Sequence, residues 1–313
     1  MLSRTADHIY WMGRYIERAE TLARALDVQY QLSLLPQTPD SIRAGWLDTL
    51  DELGLLPEYL KRHGEVTVDL PPLFVAHAGE TSLSIRGCLQ AARENARAVR
   101  GVITSEMWET LNATWIELRD AGSSHRSISG IQHFIEWVKH RSQLLRGVWQ
   151  GTMLRDEGYA FLRMGTALER ADGTARILGA RLATSSGGTA IGGFYQWGVL
   201  LRAMSAFENY RKLYRDLVLP DRVAELLVLC EDEPRSLRRA VHDLYTGLGV
   251  VANQRSRETE RRAGALDAML QFGSKESVSL DRLRALLDDC VERLKDIDRR
   301  VARDFLVAIE SAA

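Results

Sequence analysis

Long hydrophobic runs are missing from this sequence. No stretch of 18 apolar residues occurs, so no membrane-spanning helix is expected. The opening MLSRTADHIYWMGRYIERAE carries charges throughout and builds no apolar segment, which argues against a signal peptide and makes the cytoplasm the expected location. Cysteine is scarce. Cys88, Cys230 and Cys290 lie far apart in no paired spacing, so a disulfide framework is not expected; buried thiols in a reducing compartment are. Neither sign of charge dominates: 41 Lys and Arg face 42 Asp and Glu, for a net charge of -1. No global field draws the chain to nucleic acid or to anionic lipid, and neither partner is expected.

The usual signatures of chemistry are also lacking. There is no GxxxxGK[ST] loop, no GxSxG elbow and no HExxH pair. The glycine-rich TSSGGTAIGG at 184–193 reads as the most flexible segment. It lacks the lysine and the preceding strand of a phosphate cradle. His133, Glu136 and His140 share one helical side. The two histidines would stand about 10 Å apart along the axis, too far for one ion. No metal and no cofactor is expected.

With only 7 prolines in 313 residues, long uninterrupted helices are possible, and the apolar spacing supports them. Ile9, Met12, Ile16, Ala19, Ala23 and Leu26 recur three and four apart, predicting a first helix from about Ser3, as N-cap, to Leu35. Further helices are predicted near 42–60, 84–102, 105–118, 131–149, 161–182, 195–217, 222–229, 236–247, 250–272 and 280–309. Residues 61–80, with Pro71 and Pro72, read as a structured loop, and 120–130 as a second loop. The fold class is all-α: a helical bundle whose large core most of the seven tryptophans, Trp11, Trp46, Trp108, Trp115, Trp137, Trp149 and Trp197, are expected to fill.

The chain also resembles itself. MGRYIERAETLAR at 12–24 matches MGTALERADGTAR at 164–176, pairing Gly13 with Gly165, Glu17 with Glu169, Arg18 with Arg170 and Arg24 with Arg176. Ser84-Ile85-Arg86 matches Ser236-Leu237-Arg238 at the same offset of 152. Two blocks at one offset imply duplication, with halves at 1–152 and 153–313 related by a pseudo-twofold axis within one continuous domain. Gly13 and Gly165 each cost a helix about 1 kcal/mol, which close approach of a second helix would offset. Glu20, four residues before Arg24, reads as an exposed helix pair.

Glu94 with Arg97 and Glu208 with Arg211 recur as E-N-x-R. Such pairs clamp helices together, bind an anionic or zwitterionic molecule such as a peptide or amino acid, or merely decorate the surface. Glu94 and Glu208 are the candidate catalytic residues; Glu17, Arg18, Arg97, Glu169, Arg170 and Arg211 are candidates for ligand binding or clamping. Arg155 and Asp156, at the junction of the halves, are further candidates.

The blocks SRTADHIYWMGRYIERAETLARAL, SIRGCLQAARENARAVRGVITSEMWETLN, FIEWVKHRSQLLRGV and GTMLRDEGYAFLRMGTALERAD resemble the bacterial alpha-E family nearly end to end. The resemblance implies an all-helical domain with acidic E-x-x-R-like motifs, which map onto Glu94 with Arg97, Glu208 with Arg211, and the Glu17 and Glu169 blocks. It also implies association with circularly permuted ATP-grasp and transglutaminase-like proteins, and a part in making or modifying peptide or amide bonds. Three expectations follow: an accessory or substrate-holding partner of an ATP-grasp ligase, an enzyme acting on a peptide or amino-acid derivative through paired Glu and Arg side chains, or a structural scaffold.

Overall fold

A computed structural model describes residues 1–78, 84–120, 130–185 and 190–306, the side chains of 184–194 excepted. Among the described residues it is all helix, without a strand. The helices are α1 (Ser3–Ser33), α2 (Pro39–Glu52), α3 (Leu56–His63), α4 (Leu70–His77), α5 (Ile85–Ala98), α6 (Ser105–Asp120), α7 (Ile131–Thr152), α8 (Glu157–Ser185), α9 (Ala190–Ala203), α10 (Phe207–Tyr214), α11 (Pro220–Leu229), α12 (Leu237–Val250), α13 (Arg257–Gln271) and α14 (Leu280–Val301). A 3-10 turn precedes α14 and a π turn, Ala302–Leu306, follows it. None of the described helices is long and apolar enough to cross a membrane.

Local chemistry accounts for most boundaries. Thr38 caps α2, accepting from the Ser41 amide at 3.2 Å, and Pro39 fills the first helical position, where no amide donor is needed. The Ser84 hydroxyl accepts from the Gly87 amide at 3.1 Å to start α5, and Ser236 accepts from Arg239 at 3.0 Å to start α12. Ser3, read above as a cap, is instead the first helical residue of α1; Leu2 precedes it and gives no side-chain cap.

Other expectations are corrected. Part of the predicted loop at 61–80 is α4, because Pro71 and Pro72 fall in its first turn, where proline starts a helix rather than breaking one. The single helix predicted over 195–217 is broken: Ser205 takes a left-handed conformation (φ 57°) between α9 and α10, and Arg215 (φ 51°) ends α10. The helix predicted from Val250 begins only at Arg257. Of the loop predicted at 120–130, residues 121–129 lie outside the described residues, as do 186–189 of the glycine-rich segment, whose residues 184–185 end α8 and 190–193 begin α9.

The long helices α1 and α8 form the central pair. Helices α5 and α7 cover α1, while α12 and α14 cover α8. Met12, Ile16 and Ala19 are fully buried, as their spacing predicts. The helix glycines are explained by the same contact. A Cβ on Gly13 would stand 2.5 Å from the Leu162 carbonyl oxygen, and one on Gly165 would stand closer still to that of Tyr10. The helix backbones meet at both glycines, so neither position has room for a side chain. A second core of apolar side chains, including Trp46, Tyr59, Phe74 and Phe134, packs beneath α2–α5 and α7.

Candidate functional site

Glu17, Glu20 and Arg24 stand on one face of α1 at spacings of three and four, and none reaches solvent: Glu17 and Glu20 are 0% exposed and Arg24 2%. Burial of two carboxylates is tolerable only with charged partners, and four arginines supply them. Arg170 on α8 forks onto Glu17, with Nε 3.0 Å from Oε1 and Nη2 2.8 Å from Oε2. Arg146 on α7 spans both acids through Nη2, at 2.9 Å from Glu17 Oε2 and 2.6 Å from Glu20 Oε2. Arg235, in the turn before α12, also spans them, donating from Nη1 to Glu17 Oε1 at 3.1 Å and from Nη2 to Glu20 Oε1.

Arg24 closes the cluster. Its Nη2 stands 2.7 Å from Glu20 Oε1, and its Nη1 donates to the Ala203 carbonyl oxygen and to Ser205 Oγ at 3.1 Å. The left-handed Ser205 ends α9 at the place where these two acceptors face Arg24. The Glu20–Arg24 pair is thus interior, not the exposed pair expected from its spacing.

The second carboxylate of the repeated block is held in the reverse sense. Arg18 on α1 forks onto Glu169 on α8, with Nε 2.6 Å from Oε1 and Nη2 2.9 Å from Oε2. Arg14 Nε adds a bond to Glu169 Oε2 at 2.8 Å, and Arg14 Nη1 pairs with Asp298 at 2.6 Å. Tyr10 donates to the same Asp298 carboxylate at 2.8 Å. The parallel extends down the helices: Arg176 binds Asp172 at 2.6 Å and the Glu52 carbonyl oxygen at 2.7 Å, as Arg24 binds Glu20 and the Ala203 carbonyl.

The electrostatics follow from these contacts. Burial alone would raise the Glu17 carboxyl; Arg170, Arg235 and Arg146 outweigh it and hold it well below the usual carboxylate range. Burial likewise opposes Glu20, yet Arg235, Arg146 and Arg24 bring it to about 2 despite the adjacent Glu17 charge. Glu169 is lowered in the same way by Arg18 and Arg14, against its burial. Burial pulls Arg235 down to about 10, which leaves it charged at neutral pH. At neutral pH these carboxylates are anions with arginines on them. A general base needs a raised pKa and a free lone pair facing substrate, and Glu17 and Glu20 offer neither.

The remaining candidates lie elsewhere. Glu94 and Arg97 form a surface pair on α5 at 3.7 Å, with side chains 49% and 68% exposed, and Glu94 also binds Arg93 at 2.6 Å. Glu208 and Arg211 are exposed on the short α10. Asp156 caps α8, accepting from the Tyr159 amide at 3.1 Å, and Arg155 binds the Tyr159 hydroxyl at 2.8 Å. None of these joins the buried cluster. Its members absent from the candidates above are Arg14, Glu20, Arg24, Arg146, Arg235 and Asp298. Arg235 and Asp298 belong to no motif, Arg146 lies in the FIEWVKHRSQLLRGV block without standing out there, and only the fold brings the three to α1.

Comparison with curated proteins and with solved structures returns no significant match. A family model matches residues 1–306 and is described as Alpha-E, a predicted alpha-helical domain with a conserved ER motif. The chain has four Glu-Arg dipeptides, at Glu17, Glu169, Glu260 and Glu292. Only those at Glu17 and Glu169 have a buried glutamate and grip each other across the central helix pair. Covered over nearly its whole length by this model, the chain belongs to the Alpha-E family.

Proposed function

We propose that the protein is a non-catalytic helical partner that docks an ATP-grasp peptide or amide ligase and holds its substrate. The observation that carries this reading is the state of Glu17 and Glu20: fully buried and each bonded to several arginines. Acids held this way stabilise a shape and do not exchange protons with a substrate. Glu94 and Glu208 lie exposed, without the shelter that a catalytic base requires. The ligase partner itself comes from the family resemblance.

The reading includes an origin by duplication. Arg18 holds Glu169 as Arg170 holds Glu17, Gly13 and Gly165 make equivalent close approaches, and Ser84 and Ser236 cap equivalent helices. A pseudo-twofold relation between the halves is the simple account of this set.

The test is capture of the tagged full chain from its native host lysate at moderate salt, with mass spectrometry of what co-purifies. Near-stoichiometric recovery of an ATP-grasp or transglutaminase-like protein supports the proposal. If neither is recovered, and a purified ligase of that class shows no binding at micromolar concentration by calorimetry, the proposal fails.

A further inference from the structure

The two carboxylate pairs are matched in type but not in saturation. Glu17 and Glu20 share four arginines: Arg24, Arg146, Arg170 and Arg235. Their counterparts, Glu169 and Asp172, share three: Arg14, Arg18 and Arg176. Arg14 acts on Glu169 Oε2 much as Arg146 acts on Glu17 Oε2. Among the described residues, the group without a counterpart is Arg235. The position 152 residues before it is Leu83, and no residue from 79 to 83 is basic.

The consequence is visible atom by atom. Glu17 Oε1 takes two donors, Arg170 Nε and Arg235 Nη1, whereas Glu169 Oε1 takes one, Arg18 Nε. Glu20 Oε1 takes Arg235 Nη2 as well as Arg24, whereas Asp172 bonds only Arg176, through Oδ2. Among the described residues, Asp172 Oδ1 has no donor.

Both of these carboxylates line a cleft of about 210 Å³ between α1, α8 and the turn after α2. Arg18 and Arg176, each paired with one of the carboxylates, line it as well, and its other wall is apolar, formed by Leu22, Leu53 and Leu55. An apolar wall leading to two carboxylates suits an alkyl stem that ends in a cation. The volume lies below the roughly 300 Å³ at which drug-sized sites begin, so it fits one side chain rather than a large molecule.

We infer that this cleft binds the guanidinium side chain of an arginine-bearing peptide or amino-acid derivative, which takes at Glu169 and Asp172 the place that Arg235 takes at Glu17 and Glu20. A guanidinium is favoured over an ammonium because Arg235 bridges its two acids with two separate nitrogens, a fork that a lysine head does not reproduce.

The inference rests on the substrate-holding reading above, and the two fail separately: a binding isotherm needs no partner protein, and capture of a ligase needs no arginine probe. The experiment is calorimetric titration of the full chain with N-acetyl-L-arginine amide and with its neutral isostere N-acetyl-L-citrulline amide. The arginine probe is expected to bind with a Kd of about 1 mM or tighter, and the citrulline probe at least about tenfold more weakly. Asp172→Asn, in which Arg176 keeps the Glu52 carbonyl, should weaken the arginine probe by about tenfold while circular dichroism stays unchanged. Equal binding of the two probes, or no heat from the arginine probe up to about 20 mM, overturns the assignment on the unmutated protein alone. An unchanged affinity in a folded Asp172→Asn variant overturns it as well.

Discussion

Arg18 grips Glu169 across the central helix pair, with Nε 2.6 Å from Oε1 and Nη2 2.9 Å from Oε2. The next residue after Glu169 returns the contact: Arg170 grips Glu17, the residue before Arg18. Two Glu-Arg dipeptides are thereby locked crosswise, and the glycines four residues before each glutamate let the helix backbones come close enough for it.

Removing one acid leaves its arginines buried and unpaired. Glu17→Gln is expected to cost about 3–5 kcal/mol, because breaking a buried ion pair from one side exposes the full desolvation cost of the other. Urea unfolding followed by circular dichroism measures it, and a change within experimental error would contradict the burial described here.

The same acids set an acid limit. Glu20 lies near 2 in the folded chain against an ordinary 4.5, so its folded value is depressed. Its stabilisation is complete above pH 4.5 and is lost as pH falls toward 2. Glu17 and Glu169 are lowered too and act in the same direction. Thermal melts from pH 6 downward should show Tm falling through that window, and Glu20→Gln should flatten the fall.

Gly13→Ala and Gly165→Ala should each destabilise by about 1–3 kcal/mol, since the added methyl meets backbone oxygen on the facing helix. Gly147→Ala, at an exposed α7 position with nothing within 4 Å of the new Cβ, should stabilise by up to about 1 kcal/mol. Opposite signs in the measured unfolding free energies check the pair.

Cys88 and Cys290 are buried, and burial pushes both thiols up to about 12, while Cys230 is partly exposed. A thiol reagent should therefore titrate one cysteine quickly in the native protein and the other two only on unfolding. Rapid reaction of Cys88 would contradict the packing of α5 against α1.

Glu94→Gln and Glu208→Gln remove exposed charges and should shift stability by no more than about 0.5 kcal/mol. Both variants should also retain any ligase binding found for the unmutated chain, as judged by calorimetry; loss of folding in either would mark a structural clamp at that position.

Much of the fold was legible in the sequence because its signals are local. The stripe from Ile9 to Leu26 marked α1, and serine marked the starts of α5 and α12. Gly13 and Gly165 announced a helix contact through their cost in a helix. The break after Ala203 carried no glycine or proline at the bend itself and was missed, while the break expected between Gly247 and Val250 falls a few residues later, between Val250 and Arg257. The site was half legible. Its glutamates stood out in the repeat, but Glu20 with Arg24 has the spacing of a surface pair. What buries it is Arg146 and Arg235, which lie 126 and 215 residues from Glu20, and no local pattern reports a partner at that distance.

The crosswise lock is tested most directly by a double-mutant cycle on Arg18 and Glu169, using Arg18→Gln, Glu169→Gln and the double variant in urea unfolding. Each single change should destabilise strongly, and the double variant should be less destabilised than the sum by about 1–3 kcal/mol, the coupling of a buried contact. Additive effects, with coupling below about 0.5 kcal/mol, would mean that the two residues do not hold the helices together and would contradict the account.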